Sequence, residues 1–199
     1  MKILQILSSA KGEYSVSTKL AKAITEKLQS ENPGSSVIVK DLAVLQPPHL
    51  NMEILGSFST PAEARSSMQK EAVSFSDQSI AEVIEADVII VALAFYNYSV
   101  PSTLKAWIDH ISRVRVTFKY NEQGQQVGML QSKPVYVAIA SGGIYKEHPM
   151  AAMDYGKDFF ALAMKMIGLN DTRFFVADGQ GIPGYKDNSL PNAIESIVL

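Results

Sequence analysis

The chain of 199 residues contains no cysteine. Disulfides, thiolate catalysis and cysteine-ligated metals are thereby excluded. There is no surplus of positive charge either: 18 Lys and Arg face 20 Asp and Glu, a net charge of −2. A general nucleic-acid binder carries a basic stripe, so no nucleic-acid partner is expected. No apolar run reaches membrane-spanning length. The first residues enter a strand directly, without the charged stretch and cleavage site of a signal peptide. The expectation is a cytoplasmic protein that meets no membrane. Three motifs are also missing: G-x-x-x-x-G-K-[ST], a G-x-G-x-x-G after the first strand, and the nucleophile elbow G-x-S-x-G. His49, His110 and His148 lie in separate segments without ligand spacing. Each is expected on the surface or in a loop, and no metal site is expected.

What is present is a strand, a hydroxyl-rich turn and a helix start. Residues 2–7 are mostly aliphatic, as a buried parallel strand requires. Ser8, Ser9, Ser15, Ser17 and Thr18, with Gly12, follow within eleven residues. Leu20, Ile24 and Leu28 then recur at helical spacing. Helix-start N–H groups are unsatisfied and the helix dipole favours an anion there, so this turn suits a phosphate. The simpler reading makes Ser15 or Ser17 an N-cap.

The same alternation continues. The patterning predicts a helix over 17–30, a short strand at 37–39 and a loop over 45–60. A helix opens near Thr60 and Pro61, with Met68, Ala72, Phe75, Ile80, Val83 and Ile84 as its apolar stripe. Residues 87–94 are apolar on both faces, which marks a central strand. A helix bearing Leu104, Trp107, Ile108 and Ile111 follows Pro101. Residues 113–120 alternate, with Val114, Val116, Phe118 and Tyr120 on one face and Arg113, Arg115, Thr117 and Lys119 on the other. With the turn after them they predict an excursion hairpin near 113–130. Strands at 135–140 and 172–177 flank a helix carrying Phe159, Leu162, Ala163, Met166 and Ile167, which Gly168 ends. A glycine-rich loop over 178–185 leads to a final helix over 189–198, with Pro191 in its first turn. Strand and helix alternate five times, which specifies an α/β doubly wound, five-stranded parallel sheet with helices on both faces, in one domain over 1–199.

In such sheets ligands bind beyond the C-terminal strand ends, at the switch point. Three loops stand at those ends: residues 8–17, 95–99 and 141–145. In a flavodoxin-like strand order they converge. The first offers hydroxyls, the second aromatic surface and an amide, the third glycines that let a flat ring approach. A phosphate joined to a flat heterocycle is what flavin mononucleotide presents.

These residues resemble the FMN-dependent NADH:azoreductase and quinone reductase family over essentially the whole chain. Ser9 with Tyr14, Ser15, Val16 and Ser17 is similar to the family's phosphate loop, S-x(5)-S-x-S. Phe95, Tyr96, Asn97 and Tyr98 resemble its M-Y-N-F segment, and Ser141, Gly142 and Gly143 its third flavin loop. Departures occur where the family usually has proline (Ala94), methionine (Phe95), serine-arginine (Ala140 and Ser141) and histidine (Tyr145). The resemblance implies non-covalent FMN held by Ser9, Ser15, Val16, Ser17, Ala94, Phe95, Tyr96, Asn97, Tyr98, Ser141, Gly142 and Gly143. Tyr120 and Tyr145 would line a substrate pocket. It further implies NADH as electron donor, quinones and aromatic azo compounds as acceptors in a ping-pong scheme, no catalytic side chain beyond the flavin, and a homodimer. A flavodoxin-like electron carrier and a flavin-binding module without turnover are the alternatives.

Overall fold

The computed structural model describes residues 1–146 and 150–199. Its main sheet comprises β1 (Lys2–Leu7), β2 (Ser36–Asp41), β3 (Val88–Ala94), β6 (Pro134–Ala140) and β7 (Asp171–Ala177). All neighbouring pairs are parallel, in the order β2-β1-β3-β6-β7. The order reverses at β1, which places the switch point between β1 and β3.

Alternate residues of the central strands enter two cores. Leu4, Ile6, Ile89, Val91, Leu93, Val137 and Ile139 face one core. It is closed by α4 (Ser67–Glu85), α5 (Ser102–Ile111) and α6 (Tyr155–Ile167). Ile3, Ile90, Ala92 and Ala138 face the other, under α1 (Val16–Glu31) and α7 (Lys186–Glu195). Every residue of β3 is buried. Each fully buried aliphatic side chain contributes about 1.5–3 kcal/mol. A one-residue slip of β3 would send each side chain to the opposite core.

Several expectations are corrected. Residues 45–60 are not a plain loop: they hold the end of α2 (Leu42–Leu45) and all of α3 (Met52–Ser59). Both helices are capped by short polar side chains. Asp41 Oδ1 accepts from the Ala43 N–H at 3.0 Å and Asn51 Oδ1 from the Ile54 N–H at 2.9 Å. α4 begins later than expected, at a capping box between Ser66 and Gln69. Met68, Ile84 and Leu162 are exposed and stand off the expected apolar stripes.

The alternation over 113–117 does not form a strand. The Arg113 carbonyl accepts from the N–H groups of Val116 and Thr117, which makes a tight turn, and Arg115 has φ 64°. Arg113 is buried while Val114 is half exposed, the reverse of the expected faces. Only β4 (Phe118–Tyr120) and β5 (Gln126–Gly128) form the hairpin, antiparallel to each other. The final helix starts at Lys186, so Pro191 sits in its second turn.

Candidate functional site

The C-terminal ends of β1, β3 and β6 surround a cleft of about 270 Å³. Its walls include Ser9, Lys11, Tyr14, Ser15, Val16, Ala94, Phe95, Tyr96, Ala140, Ser141, Gly142, Gln180 and Gly181. Adjacency of β1, β3 and β6 brings the three loops together, as the strand order requires.

One end of the cleft is the start of α1. Ser15 occupies the N-cap position, yet its side chain caps no N–H of the helix. Its hydroxyl instead meets that of Ser17 at 3.0 Å, and both residues are buried. The first turn carries no acidic residue. Uncapped N–H groups, hydroxyl donors and no opposing negative charge suit an anion. Ser9 forms the opposite wall. Its hydroxyl lies 3.0 Å from the Tyr96 hydroxyl and accepts from the Lys11 N–H at 3.2 Å.

The segment after β3 folds into a type I′ turn. Tyr96 and Ser99 exchange both backbone hydrogen bonds, at 3.1 and 3.0 Å. Asn97 and Tyr98 have φ of 51° and 65°. Asparagine tolerates this conformation; for tyrosine it costs about 1–2 kcal/mol. Such strain persists where surrounding structure enforces it, commonly at binding sites. Asn97 and Tyr98 are exposed at the turn's tip and do not line the cleft.

The loop after β6 supplies the remaining wall. A Cβ on Gly142 would meet nothing within 4 Å, so this backbone opens into free space. Gly143 lies beneath the Tyr145 ring, 3.2 Å from where its own Cβ would stand. Tyr145 packs on Phe95 with ring centroids 4.7 Å apart and meets Tyr98 edge-on at 6.2 Å. A neighbouring cleft of about 200 Å³ includes Phe95, Ser141, Tyr145, Lys157 and Asp178. A third, of about 510 Å³, shares Tyr96 and is walled by Ser8, Pro47, His49 and Ser102.

Of the residues singled out in the sequence, the main cleft gathers Ser9, Ser15, Val16, Ala94, Phe95, Tyr96, Ser141 and Gly142. Ser17 stands behind Ser15 and Gly143 beneath Tyr145. Tyr120 is 58% exposed on the hairpin and lines neither the main cleft nor the one holding Tyr145. Tyr14, part of the phosphate-loop motif but not among the expected FMN contacts, is also a wall residue, and sequence reasoning missed Gln180 and Gly181. The glycine-rich stretch after the last strand carried a signal for the last two.

His110 is corrected: it is wholly buried in α5, not at the surface. Its Nε2 lies 2.8 Å from the Pro48 carbonyl, which only accepts, so Nε2 carries the proton. The rings of Phe58 and Phe75 pack edge-on against it. Burial lowers its pKa from the ordinary 6.5; the bond to Pro48 and nearby Asp109 oppose this, and Arg113 adds to it. Asp109 itself pairs with Lys105 at 2.6 Å. His148 lies outside the described residues.

Arg113 is likewise buried rather than on an open strand face. It donates to Asp77 and Ser76, and its guanidinium lies 4.5 Å from the centroid of the Phe58 ring. Asp77 also accepts from Arg65 at 3.3 Å, and Arg65 holds the carbonyls of Ser57 and Thr60. This clasp ties α3 to α4 and fixes the excursion whose residues Pro47 and His49 wall the third cleft.

Comparisons with known proteins agree with the fold. The flavodoxin-like fold family matches residues 1–198. The FMN-dependent NADH:quinone oxidoreductase of Cellvibrio japonicus (strain Ueda107) is 41% identical over 196 residues, covering 98% of this chain and 96% of that protein. The enzyme of the same description from Azotobacter vinelandii is 38% identical over 197 residues, covering 98% and 97%. The crystal structure of an FMN-dependent NADH-azoreductase from Bacillus anthracis str. Ames Ancestor in complex with FMN shares the fold, with a TM-score of 0.85 at 22% identity over 98% of this chain and 97% of that one. The chain belongs to the flavodoxin-like family, among relatives described as FMN-dependent NADH:quinone oxidoreductases.

Proposed function

We propose that this protein is an FMN-dependent NADH:quinone oxidoreductase that also reduces aromatic azo compounds. The observation that carries the reading is the uncapped start of α1, with the buried Ser15 and Ser17 hydroxyls, facing the open backbone of Gly142 across one cleft. A phosphate at the first and a flat ring at the second match the two ends of FMN. The relatives at 41% and 38% identity are described by this cofactor and this reaction.

When bound, FMN would supply the redox chemistry, the transfer of two electrons from NADH to a quinone or an azo bond in two half-reactions. The chain supplies binding and orientation. Ser9, Ser15, Ser17 and the N–H of Val16 hold the phosphate. Ala94, Phe95 and Tyr96 would form one side of the ring site, with Asn97 and Tyr98 at its exposed rim; Ser141, Gly142 and Gly143 would form the other. Asn97, at the exposed tip of the strained turn, would meet the ring's polar edge with its amide once FMN is bound. Replacing Asn97 with alanine is expected to weaken FMN binding by up to about tenfold, the size of one lost hydrogen bond. Tyr145 stacks flat acceptors above Gly143. No side chain has to act as an acid or base.

The active form in this reading is a homodimer in the cytoplasm, where NADH is available. Tyr120, which lines neither the main cleft nor the one holding Tyr145, then serves the site of the partner copy. Val44, Met52 and Leu55, exposed on α2 and α3, offer apolar surface for association.

Initial rates with NADH and benzoquinone test the scheme. Parallel double-reciprocal lines are expected, because donor and acceptor take turns at one site. Intersecting lines would replace alternation by a ternary complex. Absence of NADH consumption would leave an electron carrier or a flavin-binding module.

A further inference from the structure

The G-x-G-x-x-G spacing absent after β1 stands after β7, at Gly179, Gly181 and Gly184, just before α7. In a dinucleotide loop, such glycines leave N–H groups free for a pyrophosphate. Here those groups are spent on the chain itself. Gly179 donates to the Gly143 carbonyl at 3.0 Å, Gln180 to Ser141 at 3.0 Å and Gly181 to Gly142 at 2.9 Å. Asp187, in the first turn of α7, would further disfavour an anion. The motif therefore has a different use.

Its three donors take up the three carbonyls of the loop expected beneath the flavin ring. The Ser141 hydroxyl also donates to the Gly143 carbonyl, at 2.8 Å. Among the described residues, the N–H groups of Gly142 and Gly143 have no partner. The loop thus presents a fixed set of acceptors to the protein and two unused donors to a ligand. Approach is close: a Cβ on Gly181 would stand 3.2 Å from the Gly142 oxygen. The bracing segment is itself locked. Gly179 has φ 66°, with the Tyr185 ring 2.3 Å from where a Cβ would be. The Tyr185 hydroxyl donates to Asp178 at 3.2 Å, and the Gln180 amide donates to Ser189 at 3.0 Å. Gln180 and Gly181 also form part of the cleft wall.

We propose that residues 178–185 are a positioning element for the cofactor's ring: Gly181 and its neighbours hold the Gly142 and Gly143 N–H groups at the height of the ring's polar edge. This rests on the FMN reading. The positioning residues act through Gly142 and Gly143, at the ring end of the site only.

The test titrates flavin-free, full-length protein with FMN and with riboflavin, which lacks the phosphate. Gly181→Val is expected to weaken both by the same factor, about tenfold, as one displaced donor pair would give. It should also shift the visible absorption of bound FMN. Ser15→Ala should weaken FMN alone. Tyr185→Phe, which keeps the ring and loses the bond to Asp178, should repeat the Gly181→Val pattern on a smaller scale in a protein that folds normally. Wild-type protein that binds neither flavin would overturn the FMN reading and this inference with it. Wild-type protein that binds FMN, with both variants matching its affinity and spectrum, would overturn this inference alone, even if their melting temperatures fell. A loss confined to FMN would also overturn it, by assigning the segment to the phosphate end.

Discussion

Of the buried polar clusters on this fold, one answers a charge within the chain, and another leaves the start of a helix uncapped. Arg113, 4% exposed, is met by Asp77 and Ser76 and covered by the Phe58 ring. Its charge is answered within the chain, so it ties elements together. At the start of α1, Ser15 and Ser17 are equally buried but the helix is left uncapped. The two serine hydroxyls meet each other, and the first N–H groups of the helix face the cleft without a side-chain cap. Binding capacity therefore sits where unpartnered donors border a cleft: the Arg113 Nε is also buried without a partner, but it lines none of the clefts described above. By this measure the serines form a phosphate site, and the arginine forms a staple.

The largest expected effect separates the two. Replacing Ser15 and Ser17 together with alanine should weaken FMN binding by about a hundredfold or more, since two hydrogen bonds to a charged group are worth about 3 kcal/mol at the low end. The melting temperature of the flavin-free protein should hardly move, because both partners of one hydrogen bond leave together. Fluorescence titration and a thermal melt read the two quantities. A large loss of stability with intact binding would reverse the contrast.

Asp77→Ala should give the opposite result. It strands a buried guanidinium and frees Arg65, at a cost of about 2–3 kcal/mol in unfolding free energy. The lower end is favoured because Asp77 is itself half exposed. Denaturant unfolding measures the loss, and FMN affinity should stay within about twofold. A comparable loss in both would mean that the clasp and the cleft are one unit.

The smallest effect concerns His110, beside the clasp. Its pKa is lowered by burial in the folded chain, so between that value and 6.5 the unfolded chain binds more protons. Its contribution to stability is complete above pH 6.5 and is lost as the pH falls below it. Unfolding curves across this range should show stability declining with acid, and His110→Gln, which retains a donor for Pro48, should flatten the slope. Flavin binding should not follow the same curve.

The contrast also explains what could be read in advance. The phosphate end lies within one short stretch, Ser9 to Ser17, and its strand, turn and helix signals are local. The five strands were legible for the same reason: continuous aliphatic runs such as β3 admit one reading. The ring end depends on pairing between residues 141–143 and 179–181, nearly forty positions apart, and no local spacing encodes that. Arg113 failed for a further reason. Alternation over 113–120 fits a strand, but Thr117 turns inward: its hydroxyl accepts from the Arg113 N–H at 2.9 Å and donates to the Ile111 carbonyl at 2.7 Å. That closes a turn and drives the arginine inside. α3 was hidden because its cap, Asn51, sits among prolines that read as loop.

The most direct test is an anaerobic absorption titration of the purified protein, first with FMN and then with NADH. The account predicts a bound-flavin spectrum that bleaches with stoichiometric NADH and returns when a quinone is added. A protein that leaves FMN free, or binds it and does not bleach, would contradict it.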